Sequence, residues 1–447
     1  MTEAAKFRAF RGNKNPSQFS KRDGQLEYTG WQDEQWGWKN TAYLGDWSYV
    51  PTIRVTGPDA LKLFSDLSIN SFANFPVGKA KHCVQCDETG NVVNEGVLVR
   101  YGENDFEFDA TTPQWVYFKM KTGGYNASAT FPSTHKLQIS GPRTLDIIEK
   151  MTGERAKLLE VPFMGTCELT VDGLTVVALR QGMGGDLGFE LHGPIAQKQQ
   201  IEQAILAAGE EFGLRQRGWR WMQINHLESY FPTSTVHYLS PLVGDGHPDY
   251  RTFMDDNLPQ EWVGTWLEGP MRYAWNPSFT GSWDGEEIEG LFRSPVELGW
   301  ARYISFDHEF LGDTALKAEL ENPRRVGVTL EFNSDDMIAI YSSLFGDGDV
   351  FHLFEVPHSP YSYNWVDKIV DAEGAEIGHA LYPGYSITYR KALAISFIDV
   401  AYSEIGTEVE VLWGNPDEPQ TRIRAVVAPA PYKSDEGRRV ALTNATN

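Results

Sequence analysis

The chain has 447 residues, 41% hydrophobic and 13% aromatic. That is enough to bury a sizeable interior and too long for one ordinary core, so two or three domains are expected. A formal net charge of −22 repels nucleic acid and anionic membrane surfaces, so neither is an expected partner. No stretch reaches the ~20 continuous apolar residues that cross a bilayer. The N-terminal text is polar with no apolar signal core, and three cysteines give no disulfide framework, so a cytosolic location is expected.

Residues 1–30 read as a polar N-terminal extension, ahead of a main body over 31–325. A short strand, then Gly-Pro, then an amphipathic helix occurs three times: IRVTGPDALKLFSDL, LQISGPRTLDIIEKM and FELHGPIAQKQQIEQAILAAGEEFG. Pro58, Pro142 and Pro194 suit a first helical position, where a missing N–H goes unneeded. Ala60, Leu61, Phe64 and Leu67 then share a face, as do Leu145, Ile148 and Met151. Repeated strand–helix units predict an α+β fold. Cys83 and Cys86 form C-x-x-C on a predicted strand. That spacing sends them to opposite faces, and no second pair completes a zinc set, so both are assigned to packing. The sequons at Asn126 and Asn444 carry little weight without a secretory route.

Residues 232–292 carry Gly, Pro, Asp and many aromatics (Tyr238, Tyr250, Trp262, Trp266, Tyr273, Trp275, Trp283) without a sustained period, and read as a lid or an insertion. From 326 to 447 the text turns β-rich, and RRVGVTLEF, HALYPGYSITYRKALAISFIDV and TEVEVLWG predict a barrel-like C-terminal domain.

Seven segments in register resemble the folate-binding superfamily of the glycine-cleavage T-protein. They are LGDWSYV, GNVVNEGVLVR, RQGMGGDLGFEL, INHLES, SPVELGWARYISFDHEFLGDTALK, GYSITYRKALAISFID and GTEVEVLWG, spread over residues 40–415. EQWGWKN, GKAKH, KTGGYN, AILAAGEEFGL and SLFG are similar to the vanillate and syringate O-demethylase branch. The resemblance implies a T-protein-like multidomain fold. It also implies transfer of the methyl of an aryl methyl ether to N5 of tetrahydrofolate, with no metal, cobalamin, flavin or nicotinamide. The expected partner is a small aromatic ether, and the chain is expected as a monomer or small homo-oligomer.

By the same resemblance Glu190, in GFEL, binds the pterin edge. Its Gly-rich turn (Gly182, Gly184, Gly185, Gly188) lets the backbone approach a flat ligand. Glu95 stands where relatives keep an Asp near the reacting nitrogen, and Phe231 is placed to stack on the cofactor or to pack in the core. The chain departs from the vanillate-type pattern at three places. Met222 replaces the tyrosine credited with the acid role, Trp47 replaces a Gln, and Tyr49 replaces a His. No arginine in DATTPQW matches the one relatives keep near a benzoate carboxylate. Met222 and Trp47 then form an apolar wall for a flat ring, or plain core. His226 is the expected acid for the leaving phenoxide, with Tyr49 and Tyr238 as alternatives; its bland reading is a helix histidine bonded to a backbone carbonyl. His82, His237 and His247 have no assigned role, and no His/Glu set has metal spacing. Two rival readings are an aminomethyltransferase of glycine cleavage and a folate-binding accessory protein without catalysis. A −22 chain docks an acidic lipoyl carrier poorly, and accessory relatives tend to lose the glutamate present here at 190.

Overall fold

The computed structural model describes residues 25–182, 184–273, 279–285, 287–355 and 364–433. Most of the extension 1–30, and Trp275 and Asn444, lie outside the described residues. The fold is α+β, built on three sheets. One has six strands in the order Leu214–Gln216, Ala42–Asp46, Thr134–Ser140, Gly188–Pro194, Leu174–Leu179, Thr166–Val171. Helices Thr144–Thr152 and Lys198–Gly209 cover one face of it, burying Leu145, Ile148, Ile201 and Ile205 against Leu137, Ile139, Phe189 and Leu191. A second sheet has five strands in the order Lys79–Cys86, Val92–Gly102, Asp105–Ala110, Thr52–Thr56, Ser128–Thr130. Helices Ala60–Leu67 and Gln114–Thr122 pack on it through Leu63, Phe64, Leu67, Trp115 and Phe118. Each such side chain contributes roughly 1.5–3 kcal/mol on burial.

The C-terminal strands close into a barrel. Asn364–Val370, Glu376–Ser386, Lys391–Asp399, Arg325–Phe332, Thr421–Ala428 and Glu408–Trp413 pair in turn, and Ile369 and Val370 pair back with Val411 and Glu410. Closure removes the exposed edges an open sheet would carry.

Several expectations are adjusted. The prolines of the Gly-Pro pairs stand two residues ahead of the first two helices, which begin at Ala60 and Thr144. Gly57 and Gly141, at φ of 131° and 133°, make the strand-to-helix corner, and a Cβ at either would collide with backbone atoms of a neighbouring segment. In the third copy Pro194 ends the strand, and a 3-10 turn precedes helix Lys198–Gly209. Residues 232–292 do hold structure. Helix Pro248–Asn257 buries Tyr250 and Met254, and Trp262 and Met271 join them in the core of the five-stranded sheet. Cys83 and Cys86 enter different cores, as their spacing requires.

Helix Trp31–Asn40 holds the sheets and barrel in register. Its Glu34 is fully buried and accepts four N–H groups: Tyr28 N (2.6 Å), Thr29 N (3.0 Å), Gly218 N (2.7 Å) and Trp221 Nε1 (2.7 Å). Gln35 reaches the barrel, donating to the Tyr385 carbonyl and accepting from Ile387 N. Substituting Glu34→Gln puts an NH2 group against N–H donors and removes the charge from four bonds. Unfolding by denaturant is expected to show a loss of roughly 2–4 kcal/mol, and an unchanged midpoint would contradict this account of the joint.

Candidate active site

A cavity of about 880 Å³ opens between the two sheets, the helix Met222–Ser229, the segment 299–305, and Ala430 and Pro431 beyond the barrel. Seven of the eight residues singled out above line it: Trp47, Tyr49, Glu95, Glu190, Met222, His226 and Phe231. Tyr238 does not. It is 1% exposed and packs in the core shared with the barrel, edge-on to Trp300 at 6.2 Å. Its place off the cavity keeps it from a ligand there, and burial drives its phenol well above the ordinary value, which weakens it as an acid.

One end of the cavity is polar and its side chains are buried. Strand alternation puts Glu190 and His192 on one face of Gly188–Pro194, opposite Gln138 and Lys136 of the neighbouring strand. Glu190 accepts from the Gln138 amide (3.4 Å), from the Gln181 amide and from His192 Nε2 (3.0 Å). Gln138 is a junction, because its carbonyl oxygen also accepts from Tyr43 Oη (2.6 Å) and Trp47 Nε1 (3.2 Å). Behind His192 lie Asp109 and Glu107 of the second sheet, and the ligand atoms of these three residues fall within 4.8 Å of one another. The sequence reading, which found no metal-spaced set, missed this group because it is assembled across two sheets. Lys136 Nζ already sits 3.0 Å from Asp109 Oδ1 and supplies positive charge there. Burial pushes Glu107 up to about 7, helped by Asp109.

The other end is a wall of rings. Trp47 and His226 stand 6.0 Å apart, His226 and Phe231 6.0 Å, Phe231 and His82 5.4 Å, and His82 meets the edge of Trp300 at 4.9 Å. Phe231 gets there through Tyr230, whose left-handed backbone (φ 48°) caps the helix and returns the Phe231 N–H to the His226 carbonyl at 2.9 Å. Such a conformation costs about 1–3 kcal/mol in a non-glycine residue and is held by its surroundings. Glu95 meets His82 Nε2 at 2.9 Å across the hairpin. Tyr49 packs between Trp47 (5.9 Å) and Trp219 (5.1 Å), with its hydroxyl 3.4 Å from Met222 Sδ.

His226 is held in its neutral form. Its Nδ1 faces the Met222 carbonyl at 3.3 Å, and burial pulls the ring down to about 3. The imidazole is therefore neutral near pH 7. With the Nδ1 proton given to that carbonyl, Nε2 can only accept. The bland reading of this residue is the one the geometry favours. The Gly-rich turn likewise serves its own packing: a Cβ on Gly182 would meet the Asp186 carbonyl, and one on Gly184 the Trp38 ring. Sequence reasoning missed His82, Gln138, Gln181 and His192. Two of them carried a local signal: His192, two residues beyond Glu190 in FELH, and His82, across a hairpin from Glu95.

A family model described as GCVT N-terminal domain matches residues 1–237. The chain is 33% identical to syringate O-demethylase of Sphingobium sp. (strain NBRC 103272 / SYK-6) over 433 residues, covering 91% of this chain and 89% of the relative. It is 32% identical to sesamin methylene transferase of Sinomonas sp. (strain No.22) over 425 residues, covering 91% and 90%. The chain belongs to the GCVT family. Aminomethyltransferase T of the glycine cleavage system from Bartonella henselae has the same fold, with a TM-score of 0.65 over 93% of this chain and 92% of that one at 17% identity. In this family member no helix among the described residues is long and apolar enough to cross a membrane.

His135, His226 and His379 are all buried and held down to about 4, 3 and 4. Their stabilisation is whole above the unfolded value near 6.5 and is lost as pH falls below it, because the unfolded chain then takes protons that the native chain refuses. Each contributes a slope of about 1.4 kcal/mol per pH unit. His226→Gln should therefore lose less stability than the parent between about pH 6.5 and pH 4.5 in urea unfolding, and parallel losses would contradict a neutral His226.

Proposed function

We propose that this chain is a tetrahydrofolate-dependent O-demethylase, acting on the methoxy group of an aromatic acid or phenol. The observation that carries the reading is one cavity of about 880 Å³ that is lined both by the buried Glu190 carboxylate and by the rings of Trp47, His226, Phe231 and Trp300. The two relatives above, one named for an O-demethylation and one for a methylene transfer, support it.

The residues present fit the cofactor. A carboxylate has about four lone-pair directions, and Gln138, Gln181 and His192 fill three at Glu190. The fourth direction, and the one the Gln181 amide now fills, would be open to the adjacent N–H donors of a pterin edge. Glu190, Gln138 and Phe231 would hold it. When bound, tetrahydrofolate supplies N5 as the methyl acceptor. The chain's own residues then do three things. Trp47, Met222, Trp219 and Phe231 exclude water and align the aryl ether, and alignment lowers the barrier of a displacement directly. Tyr49, on the ring-lined wall, donates a proton to the ether oxygen as the phenoxide leaves. Glu95 and His82 receive the proton released when the acceptor nitrogen is alkylated. His226, neutral, accepts a hydrogen bond and orients a ligand O–H or N–H.

Tyr49→Phe is expected to lower kcat by about 10²–10⁴-fold with a small change in KM. The loss should shrink for ethers of acidic phenols, such as ortho-chlorinated ones; equal losses across phenols of widely different acidity would remove Tyr49 from the role. Glu190→Gln is expected to weaken tetrahydrofolate binding by at least ~1.5–3 kcal/mol, the worth of one charged hydrogen bond, and calorimetry showing unchanged affinity would remove that assignment. The function itself is tested by incubating methoxybenzoates, methoxyphenols and methylenedioxybenzenes with tetrahydrofolate and following 5-methyltetrahydrofolate. Turnover of methylenedioxybenzenes alone would favour a second reading, methylene transfer, which the Sinomonas relative suggests.

A further inference from the structure

The charged cluster behind Glu190 is not used by the reaction described above, yet it is assembled from both sheets with little solvent contact. Glu190, His192, Asp109, Glu107 and Lys136 are 5%, 4%, 6%, 5% and 2% exposed. Among the described residues the buried cation packed against these three carboxylates is Lys136, Arg54 near Glu107 being partly exposed and paired with Asp105, and the Lys136 ammonium is turned away from Glu190. Lys136 Nζ lies 2.9 Å from the Val50 carbonyl, 2.8 Å from Thr52 Oγ1, 2.9 Å from Thr134 Oγ1 and 3.0 Å from Asp109 Oδ1. Burying carboxylates with too few cations is costly, so a further positive charge belongs between Glu190 and Asp109.

His192 occupies that position. Its Nε2 is 3.0 Å from Glu190 Oε2, and its Nδ1 is 3.8 Å from Asp109 Oδ2. Neither Nδ1 nor Asp109 Oδ2 has a hydrogen-bond partner among the described residues. With the ring neutral and Nε2–H given to Glu190, the Nδ1 lone pair would face a carboxylate oxygen across an empty gap. A proton on Nδ1 turns that repulsion into attraction. Resting on the folate reading of Glu190, we infer that His192 is a positioning residue: an imidazolium clamped between Glu190 and Asp109 that keeps Glu190 ionised and aimed at the N–H donors of the pterin edge. If the proton moved to Glu190, the carboxyl would present O–H to N–H and the edge could not dock.

The charged groups packed on the ring favour this state on balance. Burial works to lower His192, but the hydrogen bond and charge of Glu190 together with Asp109 outweigh it and raise the ring above its ordinary value. From the strand Thr134–Ser140, Lys136 opposes the proton and His135 is held neutral, down to about 4, by its own burial and by repulsion from His192. From the strand Asp105–Ala110, Glu107 and Asp109 favour it; Glu107, pushed up to about 7, adds negative charge as it ionises. The strand on the other side pairs Val177 with His192 and contributes no charge.

Two measurements test the inference. Imidazole nitrogen shifts of histidine-labelled protein without ligand, with His192 assigned through His192→Gln, should show both ring nitrogens protonated at about pH 7. A neutral ring there overturns the inference and leaves the folate reading standing. Anaerobic calorimetry with tetrahydrofolate should show affinity that is full while His192 is protonated and falls as pH rises through its raised value. His192→Gln should bind roughly tenfold or more weakly near neutral pH, having lost a charged hydrogen bond, with that pH dependence gone. An equal loss at every pH would mark a merely structural role and overturn it. Should His192→Gln not fold, Asp109→Asn replaces it: the alkaline fall in affinity should move to lower pH, and an unmoved fall overturns the clamp. Wild-type protein that fails to bind tetrahydrofolate overturns the folate reading, and with it the pterin half of the inference, whatever the ring's charge.

Discussion

The helix Met222–Ser229 is held at both ends by buried carboxylates, and the geometry of the cavity depends on that. At its start, Glu34 gathers the N–H groups of Gly218 and Trp221 along with two from its own chain neighbourhood. At its end, Glu228 is fully buried, accepts from Ser386 Oγ of the barrel at 2.6 Å and pairs with Lys39 Nζ at 2.7 Å. Both attachments run through helix Trp31–Asn40, which supplies Glu34 and Lys39. A buried carboxylate is tolerable only when its lone pairs are met, and it is strongly destabilising when one partner is lost. The pins therefore fix one position of the helix. That position sets Met222 and His226 toward the cavity and delivers Phe231 through the left-handed turn at Tyr230.

With the helix fixed, the cavity separates its chemistry by environment. The sheet side carries side chains that exchange charge and hydrogen bonds: Glu190, Gln138, Gln181 and the cluster behind them. The helix side carries rings and a thioether with few polar atoms. A flat heterocycle with an N–H edge and a flat aryl ether ask for these two surfaces, one for recognition and one for alignment and exclusion of water. Arg217, stacked on Trp47 at 4.0 Å, stiffens the boundary between them.

Much of this was legible in the text of the chain. Alternation in FELH put Glu190 and His192 on one face, and the alternating C-terminal runs announced a barrel. Turn residues between the strands Lys79–Cys86 and Val92–Gly102 marked a hairpin, from which a near-diagonal His82–Glu95 contact could have been counted. What stayed hidden were contacts between sheets. Nothing near Asp109 in sequence points to Lys136 or His192, because the strands carrying them meet only in the fold. Burial was hidden as well. His226 and Tyr238 have the right functional groups for an acid, but the acid role needs access and a suitable titrating value: Tyr238 lies off the cavity, and burial holds His226 in its neutral form. The first two Gly-Pro corners were misread by two residues, since the glycine's positive φ, rather than the proline's missing N–H, makes the bend.

The two histidines nearest the ligand space show how far environment decides function. His226 and His192 have the same ring and nearly the same burial, at 1% and 4% exposed. One meets a backbone carbonyl, a neutral dipole that does not repay the desolvation of a cation, and is pulled down to about 3. The other meets two carboxylates, whose field outweighs the same desolvation and raises it. The result places a fixed cation behind the recognition end and an uncharged acceptor on the aligning end. A charge on His226 would draw water to the wall of rings, where a displacement at carbon gains from water's exclusion. A neutral His192 would leave Glu190 competing with Asp109 and Glu107 for a shared proton. Because the two rings hold their charge states for opposite reasons, acid and alkali act on different ends of the cavity: falling pH threatens the aligning wall, and rising pH threatens the clamp on Glu190.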